Sequence, residues 1–355
     1  MGDIGASGQM IALAREAKGW RQSDLARAAG MAQGSVSKVE RGLLALDEEG
    51  LTKVADVLEV PGSLLRGDHE LHGMESTCLH NRRRASRMPV ATLKRVEGLA
   101  QLVALSTKLL LQHEPVPVLV RQPPESCLAP PQVARALRLA WRVPSGPVDD
   151  LVGLLERMGV IVVVRGLGTD AQDAVSLWPA GAAPVVLLNT GLPPDRARFT
   201  LAHELGHLVL HGVPGEGQED EANAFAAELL TPADAIRPEL EGLTLRDFGR
   251  LARLKSRWKV SMAALIQRAH QLDCISPSQF KSFRIKLNQY GWAKREPGEL
   301  VPEVPTALTA AIEKHLADGL GVEELAELAL MRPEQFRRHY LPVDEPPRHA
   351  ATRNL

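Results

Sequence analysis

The chain has few cysteines, few aromatic residues and almost no net charge. Its three cysteines, Cys78, Cys127 and Cys274, form no CxxC pair, which argues against a disulfide framework or a structural zinc site and indicates a reducing compartment. A formal net charge of -1 excludes a protein held on nucleic acid or membrane by bulk charge. No apolar run approaches the roughly 20 residues of a membrane span, and the N-terminus does not resemble a signal peptide. We therefore expect a cytoplasmic protein without membrane association.

The 355 residues are too many for one small domain, and apolar and charged fractions of 45% and 24% exclude general disorder. Apolar spacing and Gly/Pro breaks predict an α+β protein in four segments. These are a helical domain over 1–67, a linker with one helix over 68–128, a domain with a small sheet over 129–295, and a helical tail over 296–355. No internal repeat of 20 to 50 residues is visible. Three short apolar runs are strand candidates, at 160–164, 174–178 and 184–189.

The sharpest motif is His203-Glu204-Leu205-Gly206-His207, which lies in an apolar stretch that predicts a buried helix. Side chains four positions apart share one helix face, so both imidazoles can reach a single ion, and neutral imidazole suits Zn²⁺. Glu204 lies one step round the helix, where it can act on water as a general base without being a ligand. The motif therefore predicts a zinc-dependent hydrolase.

A catalytic zinc site needs a third protein ligand. His211 continues the spacing of four, but it lies about 12 Å along the axis from the first histidine of the motif, too far for one ion to join all three. We interpret His211 as a packing or supporting residue. On the next predicted helix, Glu219 lies at the edge of the buried stripe, whereas Glu221 and Glu228 are expected to be solvated. Glu219 is thus the favoured ligand, and Asn223, one turn away, is expected to orient its carboxylate.

The segment RFTLAHELGHLVLHG followed by EDEANAFAAELLTP resembles the ImmA/IrrE metallo-endopeptidase family, and the resemblance covers roughly residues 130–295. It implies a zincin-like domain with His203, His207 and Glu219 as zinc ligands and Glu204 as general base. Members of this family include proteases that cleave a transcriptional repressor to release a stress or mobile-element response. A repressor or partner regulator is therefore the implied substrate. We expect it to lie extended along an exposed strand edge, at 174–178 or at 184–189.

The segment GWRQSDLARAAGMAQGSVSKVERG resembles the lambda-repressor-like helix-turn-helix of XRE regulators. Gly30 makes the turn, and the helix that follows is the recognition helix, which such proteins place in the major groove of duplex DNA. Residues 1–67 carry eight Lys and Arg against nine Asp and Glu, a balance that opposes tight DNA affinity. Glu40 is expected to hold structure. The nominated base-facing residues are Gln33, Gly34, Ser37 and Lys38, and those near phosphates are Gln22, Arg27 and Arg41.

These motifs predict a DNA-binding transcriptional regulator fused to a zinc endopeptidase, which would act on DNA as a homodimer. The alternative is a non-enzymatic regulator or antitoxin whose peptidase fold merely binds a partner protein, although such a module has no need for Glu204. The arginine run at 82–84 would add phosphate contacts, but charge runs in linkers are usually solvated. In the tail, 320–329 and MRPEQFRRHYL predict a helical pair that would form a small second helix-turn-helix, with no readable function.

Overall fold

The computed structural model of the chain describes residues 7–67, 69, 88–122, 127–212, 215–292 and 295–341. Cys78, the arginine run at 82–84 and the first six residues lie outside the described residues. The described parts combine many helices with one three-stranded sheet, which confirms the predicted α+β class. Among the described helices, none joins the length and the apolar character that a bilayer crossing requires.

The elements follow one another along the chain with short connections. They are α1 (Gly8–Ala17), α2 (Gln22–Ala29), α3 (Gln33–Glu40), α4 (Glu48–Leu58), α5 (Gly62–Arg66), α6 (Val90–Leu110), α7 (Pro130–Ala140), α8 (Leu151–Arg157), β1 (Ile161–Val164), β2 (Ala174–Leu177), β3 (Val185–Leu188), α9 (Pro194–Leu210), α10 (Gln218–Leu230), α11 (Ala233–Leu240), α12 (Phe248–Trp258), α13 (Met262–Gln271), α14 (Pro277–Gln289), α15 (Ala307–Ala317), α16 (Val322–Leu328) and α17 (Pro333–Tyr340).

The described residues fall into two compact units. The first takes its residues from Met1–Leu71, Glu97–Glu114 and Leu308–Leu355, and the second takes them from His72–Val96 and Pro115–Ala307. The C-terminal helices α16 and α17 therefore belong to the same unit as the N-terminal helices. The predicted bounds of the four sequence segments stay a prediction.

Apolar spacing predicts the core of the first unit correctly. The inward-facing side chains of α1, α2 and α3 are nearly inaccessible, as Met10, Leu25 and Val36 illustrate with exposures of 2% or less. Helix α2 ends because Gly30 adopts a φ of 66°, in the left-handed region that glycine enters without strain. Helix α4 begins after Asp47, whose carboxylate accepts the N–H of Gly50. Local signals and burial therefore agree along this segment.

An internal repeat is present in the first unit, and the expectation that there is none was wrong. Helices α2 and α16 begin 300 positions apart, and so do α3 and α17. Gly30 and Leu330 occupy equivalent turn positions, with φ of 66° and 55°. The residue after each turn donates its N–H at 2.8 Å to a carbonyl five residues earlier, from Met31 to Ala26 and from Met331 to Ala326. The predicted C-terminal helical pair thus has helix-turn-helix spacing.

The second unit contains a sheet with strand order β1-β3-β2. Strand β1 runs parallel to β3, and β2 runs antiparallel to it, so β3 has a hydrogen-bonded neighbour on each side. A strand with both edges paired cannot accept a further strand. The expectation that the segment 184–189 offers an exposed edge was therefore wrong. Strand β2 keeps an edge outside the sheet pairing and packs beside α9.

Helices α9 and α10 form the closest helix pair of the second unit, and a glycine permits this approach. A Cβ on Gly206 would lie 3.2 Å from the Cα of Ala222 and 3.1 Å from the ring of Phe225. These distances are tighter than ordinary side-chain contacts, so any larger residue would force the two helices apart. The HELGH sequence therefore needs its glycine for packing, since this packing brings the next helix to the histidine pair.

Glu228 on α10 is buried, and the expectation that it is solvated was wrong. Its residue exposure is 2%, and its carboxylate pairs with Arg268 of α13 and accepts the N–H of Ala233 at 3.2 Å. The amphipathic pattern of α10 suggested a single buried stripe. Helix α10 is instead covered from more than one side, because α7 as well as α9 packs against it. A charged residue on such a helix needs a buried partner, which Arg268 supplies.

Candidate functional site

The three side chains nominated as metal ligands lie together at the contact between α9 and α10. His203 Nε2 and His207 Nε2 are 3.0 Å apart, and the Glu219 carboxylate oxygens lie 3.6 Å and 3.3 Å from them. Donor atoms bound tetrahedrally to one zinc ion at about 2.0–2.1 Å are separated by about 3.3 Å. Two imidazoles and one carboxylate are also a donor set that zinc hydrolases use. Both the spacing and the chemistry of this set therefore fit a zinc ion.

Each imidazole of the pair is held at its second nitrogen. His203 Nδ1 lies 3.0 Å from Asn223 Oδ1, and His207 Nδ1 lies 2.9 Å from His211 Nδ1. Because the amide oxygen only accepts, His203 must donate from Nδ1, which leaves its Nε2 lone pair available to a metal. We expected Asn223 to orient the Glu219 carboxylate, and the structure instead shows its contact with His203.

A three-residue chain extends away from His207. His211 Nε2 lies 2.9 Å from an oxygen of Glu221, and His211 Nδ1 faces His207. The carboxylate accepts from His211 Nε2, so His211 Nδ1 must accept from His207 Nδ1, which fixes the metal-binding tautomer of His207. Glu221, expected to be solvated, is half exposed on the side chain yet holds this chain in place.

The charges at this site oppose the cost of burial. Burial raises the pKa of Glu219, but its contacts with His203 and His207 outweigh this and hold the pKa far below its ordinary value. Burial lowers the pKa of His203, but the Glu219 contact and the Glu204 charge leave it raised. For His211, burial and the neighbouring His207 lower the pKa more than Glu221 raises it. Glu219 is therefore an anion ready to bind a cation.

Glu204, the nominated general base, is completely buried and lies one residue from the first ligand. One of its carboxylate oxygens accepts a hydrogen bond of 2.6 Å from Ser176 Oγ. Ser176 is on β2, so the edge strand and the catalytic helix meet at this contact. The hydrogen bond fixes the direction of the Glu204 carboxylate.

Sequence reasoning missed the roles of Ser176 and Glu221. Ser176 lies in a strand that was predicted, and it is the only polar residue in the buried sequence Ala-Val-Ser-Leu. A hydroxyl in such a strand needs a buried partner, which was an available signal. For Glu221 the pattern carried no comparable signal, since its partner His211 is on another helix.

We expect His211→Ala to weaken zinc binding without abolishing it. The three ligands remain, so the zinc content of the purified variant should stay near that of the wild type. Loss of the partner that holds His207 should lower the affinity roughly 10- to 100-fold, as for other outer contacts of metal ligands. Competition with a chromophoric zinc chelator measures this. His113→Ala, at an exposed histidine of the other unit, is the control, and equal affinities for His211→Ala and wild type would contradict the assignment.

The helix-turn-helix places most nominated DNA-contacting residues at the surface. Gln33, Gly34 and Lys38 are exposed on α3, Arg27 and Arg41 are exposed beside it, and Ser37 is half buried. Gln22 is engaged within the domain, because its amide donates at 2.8 Å to Glu40. Glu40 also pairs with Arg15 of α1 at 2.5 Å, which confirms its structural role.

Two family models match separate parts of the chain. Residues 155–270 match the IrrE N-terminal-like domain, and residues 11–65 match a helix-turn-helix. The chain joins a helix-turn-helix domain to an IrrE N-terminal-like domain. The first match contains α9 and α10 with the whole candidate metal centre, and the second contains α2, α3 and α4. Both family resemblances of the sequence are thereby confirmed.

One curated protein is similar to part of the IrrE N-terminal-like domain. It is the radiation response metalloprotease IrrE of Deinococcus radiodurans, with 35% identity over 107 residues. The similarity covers 24% of this chain and 33% of that protein, so the chain spans about a third of the length of this relative. The similarity therefore bears on one domain and not on the activity of the whole relative.

Proposed function

We propose that the chain is a DNA-binding regulator with zinc-dependent endopeptidase activity, whose substrate is a transcriptional repressor or a partner regulator. The observation that carries the proposal is the convergence of His203, His207 and Glu219 at zinc-like spacing, with Glu204 beside them. The match to the IrrE N-terminal-like domain and the similarity to a metalloprotease support it. A pure binding module would not need a buried carboxylate at Glu204.

The chemistry divides between the metal and the chain's own residues. When bound, zinc supplies Lewis acidity and a water molecule whose pKa is lowered toward neutrality. Glu204 takes the proton from the attacking water and passes it to the nitrogen of the leaving amine. Ser176 holds the carboxylate of Glu204 in one direction while the proton moves. Asn223 and His211 keep the imidazoles oriented, so the site requires little rearrangement during catalysis.

The substrate lies extended along β2 in this proposal. Strand β3 is paired on both sides, whereas β2 has an edge outside the sheet and packs beside α9, which bears Glu204. A peptide added to this edge would form main-chain hydrogen bonds, the usual manner in which extended peptides bind sheets. Its scissile bond would then lie close to the base and the metal ligands.

The cleavage assay uses the purified full chain with zinc and the product of the neighbouring gene as the candidate substrate. We expect one defined cut, located by mass spectrometry, which disappears when a chelator removes the metal and returns when zinc is restored. Complex formation without any cut, with zinc bound, would instead support the alternative, in which the domain only binds a partner protein.

The helix-turn-helix proposal gives a separate prediction for DNA. The full chain should bind a roughly palindromic duplex as a dimer, with half-sites about one helical turn apart. Gln33→Ala and Lys38→Ala should weaken binding to the selected sequence more than binding to unrelated DNA, because both side chains are exposed on α3. Fluorescence anisotropy with both duplexes measures the ratio. An unchanged ratio in both variants would show that α3 is not the reading helix.

A further inference from the structure

Helices α16 and α17 repeat the helix-turn-helix arrangement of α2 and α3 in their buried side chains as well as in their spacing. The first helix of each pair buries a leucine and two alanines at equivalent positions, and the second helix of each buries one large apolar residue. Glu324 accepts the N–H of Gly321 at 2.6 Å, as Asp24 accepts that of Arg21 at 2.9 Å. The equivalent buried residues are Leu25 and Leu325, Ala26 and Ala326, Ala29 and Ala329, and Val36 and Phe336.

The equivalence identifies which side chains of α17 occupy the reading positions. Ser37 and Lys38 of α3 correspond to Arg337 and Arg338 of α17, and both arginines are exposed. Phe336 and Tyr340 on the opposite face are buried. An exposed helix with arginines at these positions offers the side chain that most often reads guanine, through two hydrogen bonds in the major groove.

The pair is anchored so that this basic face stays outward. Arg332 at the start of α17 donates to the carbonyl of Ala55 at 3.0 Å and to the carboxylate of Asp56 at 2.8 Å, both on α4. Ser106 of α6 donates at 2.7 Å to the carbonyl of Ala329 in the turn. A reading helix has to be held rigidly while its outer face remains accessible, and these contacts satisfy the first requirement.

We propose that residues 307–340 are a second DNA-binding helix-turn-helix, which reads duplex DNA through Arg337 and Arg338. This goes beyond the proposed function, which assigns DNA contact to α3. The regulator would then recognise a composite sequence, with one block read by each of the two elements. Specific contacts carry the affinity of the second element, because α16 exposes acidic side chains that oppose unspecific attraction to phosphates.

One ion pair competes with DNA for Arg337. Its guanidinium contacts the carboxylate of Glu323 on α16, and both side chains are substantially exposed. Arg337 must leave this carboxylate to reach a base, so removal of the Glu323 charge should raise the affinity for DNA. Arg338 has no ion pair among the described residues, so its loss should only lower the affinity.

The test uses the full chain and a library of duplex DNA of random sequence. After selection, the wild type should yield two sequence blocks, and anisotropy should give its affinity for the selected duplex. R337A/R338A should remove one block and lower the affinity roughly 10- to 100-fold, whereas K38A should weaken the other block. E323Q should raise the affinity. R338K should keep binding to unrelated DNA but lose preference for the selected duplex, because lysine cannot form the paired contact.

The matched control is R253A/R257A, which removes two exposed arginines of α12, one of them also in an ion pair, with Glu239. Circular dichroism and the thermal midpoint show that each variant is folded. The same selected sequence and affinity in R337A/R338A and wild type would overturn the proposal. A changed molecular mass in light scattering with unchanged DNA selection would also overturn it, since the face would then contact protein. If the wild type selects no sequence, both helix-turn-helix assignments are wrong.

Discussion

Glu204→Gln should abolish proteolysis while zinc stays bound and the fold survives. Glutamine keeps the shape of the side chain and still accepts the hydrogen bond from Ser176, but it cannot take up a proton. Loss of a general base typically lowers the rate by roughly 10²- to 10⁴-fold, which a gel assay of repressor cleavage detects easily. Zinc content should match the wild type, because Glu204 is not in the group of converging ligand atoms.

The same variant separates the two classes of function in cells. If the chain acts as a protease, a Glu204→Gln strain should lose the induced response, and a Glu216→Gln strain, altered at an exposed carboxylate, should keep it. If the chain acts only by binding, the Glu204→Gln strain should respond normally, whereas deletion of residues 1–67 should not be tolerated. A normal response in Glu204→Gln would exclude the protease proposal, whatever the zinc content.

The parts of the fold that sequence predicts well are those governed by local periodicity. Apolar spacing located α1 to α4 and their buried faces, and the predicted strand runs match β1, β2 and β3 to within two residues at each end. The metal set was found because two of its members share one helix face and the third lies at the edge of the next buried stripe. These inferences need only the geometry of a single helix or strand.

The parts that sequence did not predict depend on which elements become neighbours. Strand order decided that β3 is central, and no local pattern contains that information. Glu228 became buried because α10 is covered by two helices, and Asn223 reaches His203 because of the rotation of α10 against α9. Each of these errors concerned a side chain whose partner is distant in sequence.

The internal repeat escaped notice for a related reason. A helix-turn-helix is specified by a few buried positions, a turn and two caps, and the other positions are free to vary. Gly30 marks the first turn clearly, whereas Leu330 takes the same left-handed conformation without a glycine. The surrounding contacts from Ser106 and Arg332 hold that turn in place, so the strain at Leu330 is compensated by tertiary structure.

Glu219→Ala should remove most of the zinc from the purified protein. The wild type should hold about one zinc per chain, because three ligands that can be deprotonated converge on one point. Loss of the carboxylate leaves two imidazoles and removes the negative charge that balances the ion, so binding should fall far more than in His211→Ala. Elemental analysis after gel filtration measures the content, and His203→Ala and His207→Ala should behave in the same way.

Asp220→Ala is the matched control for this prediction. Asp220 is the next residue on α10, it is exposed, and its loss removes the same charge without touching the converging group. We expect Asp220→Ala to retain its zinc and its cleavage activity. Full zinc retention in Glu219→Ala would place the third ligand elsewhere, and zinc loss in both variants would point to the overall charge of the helix start. A loss confined to Glu219→Ala, with an unchanged thermal midpoint in the presence of chelator, assigns the carboxylate to the metal.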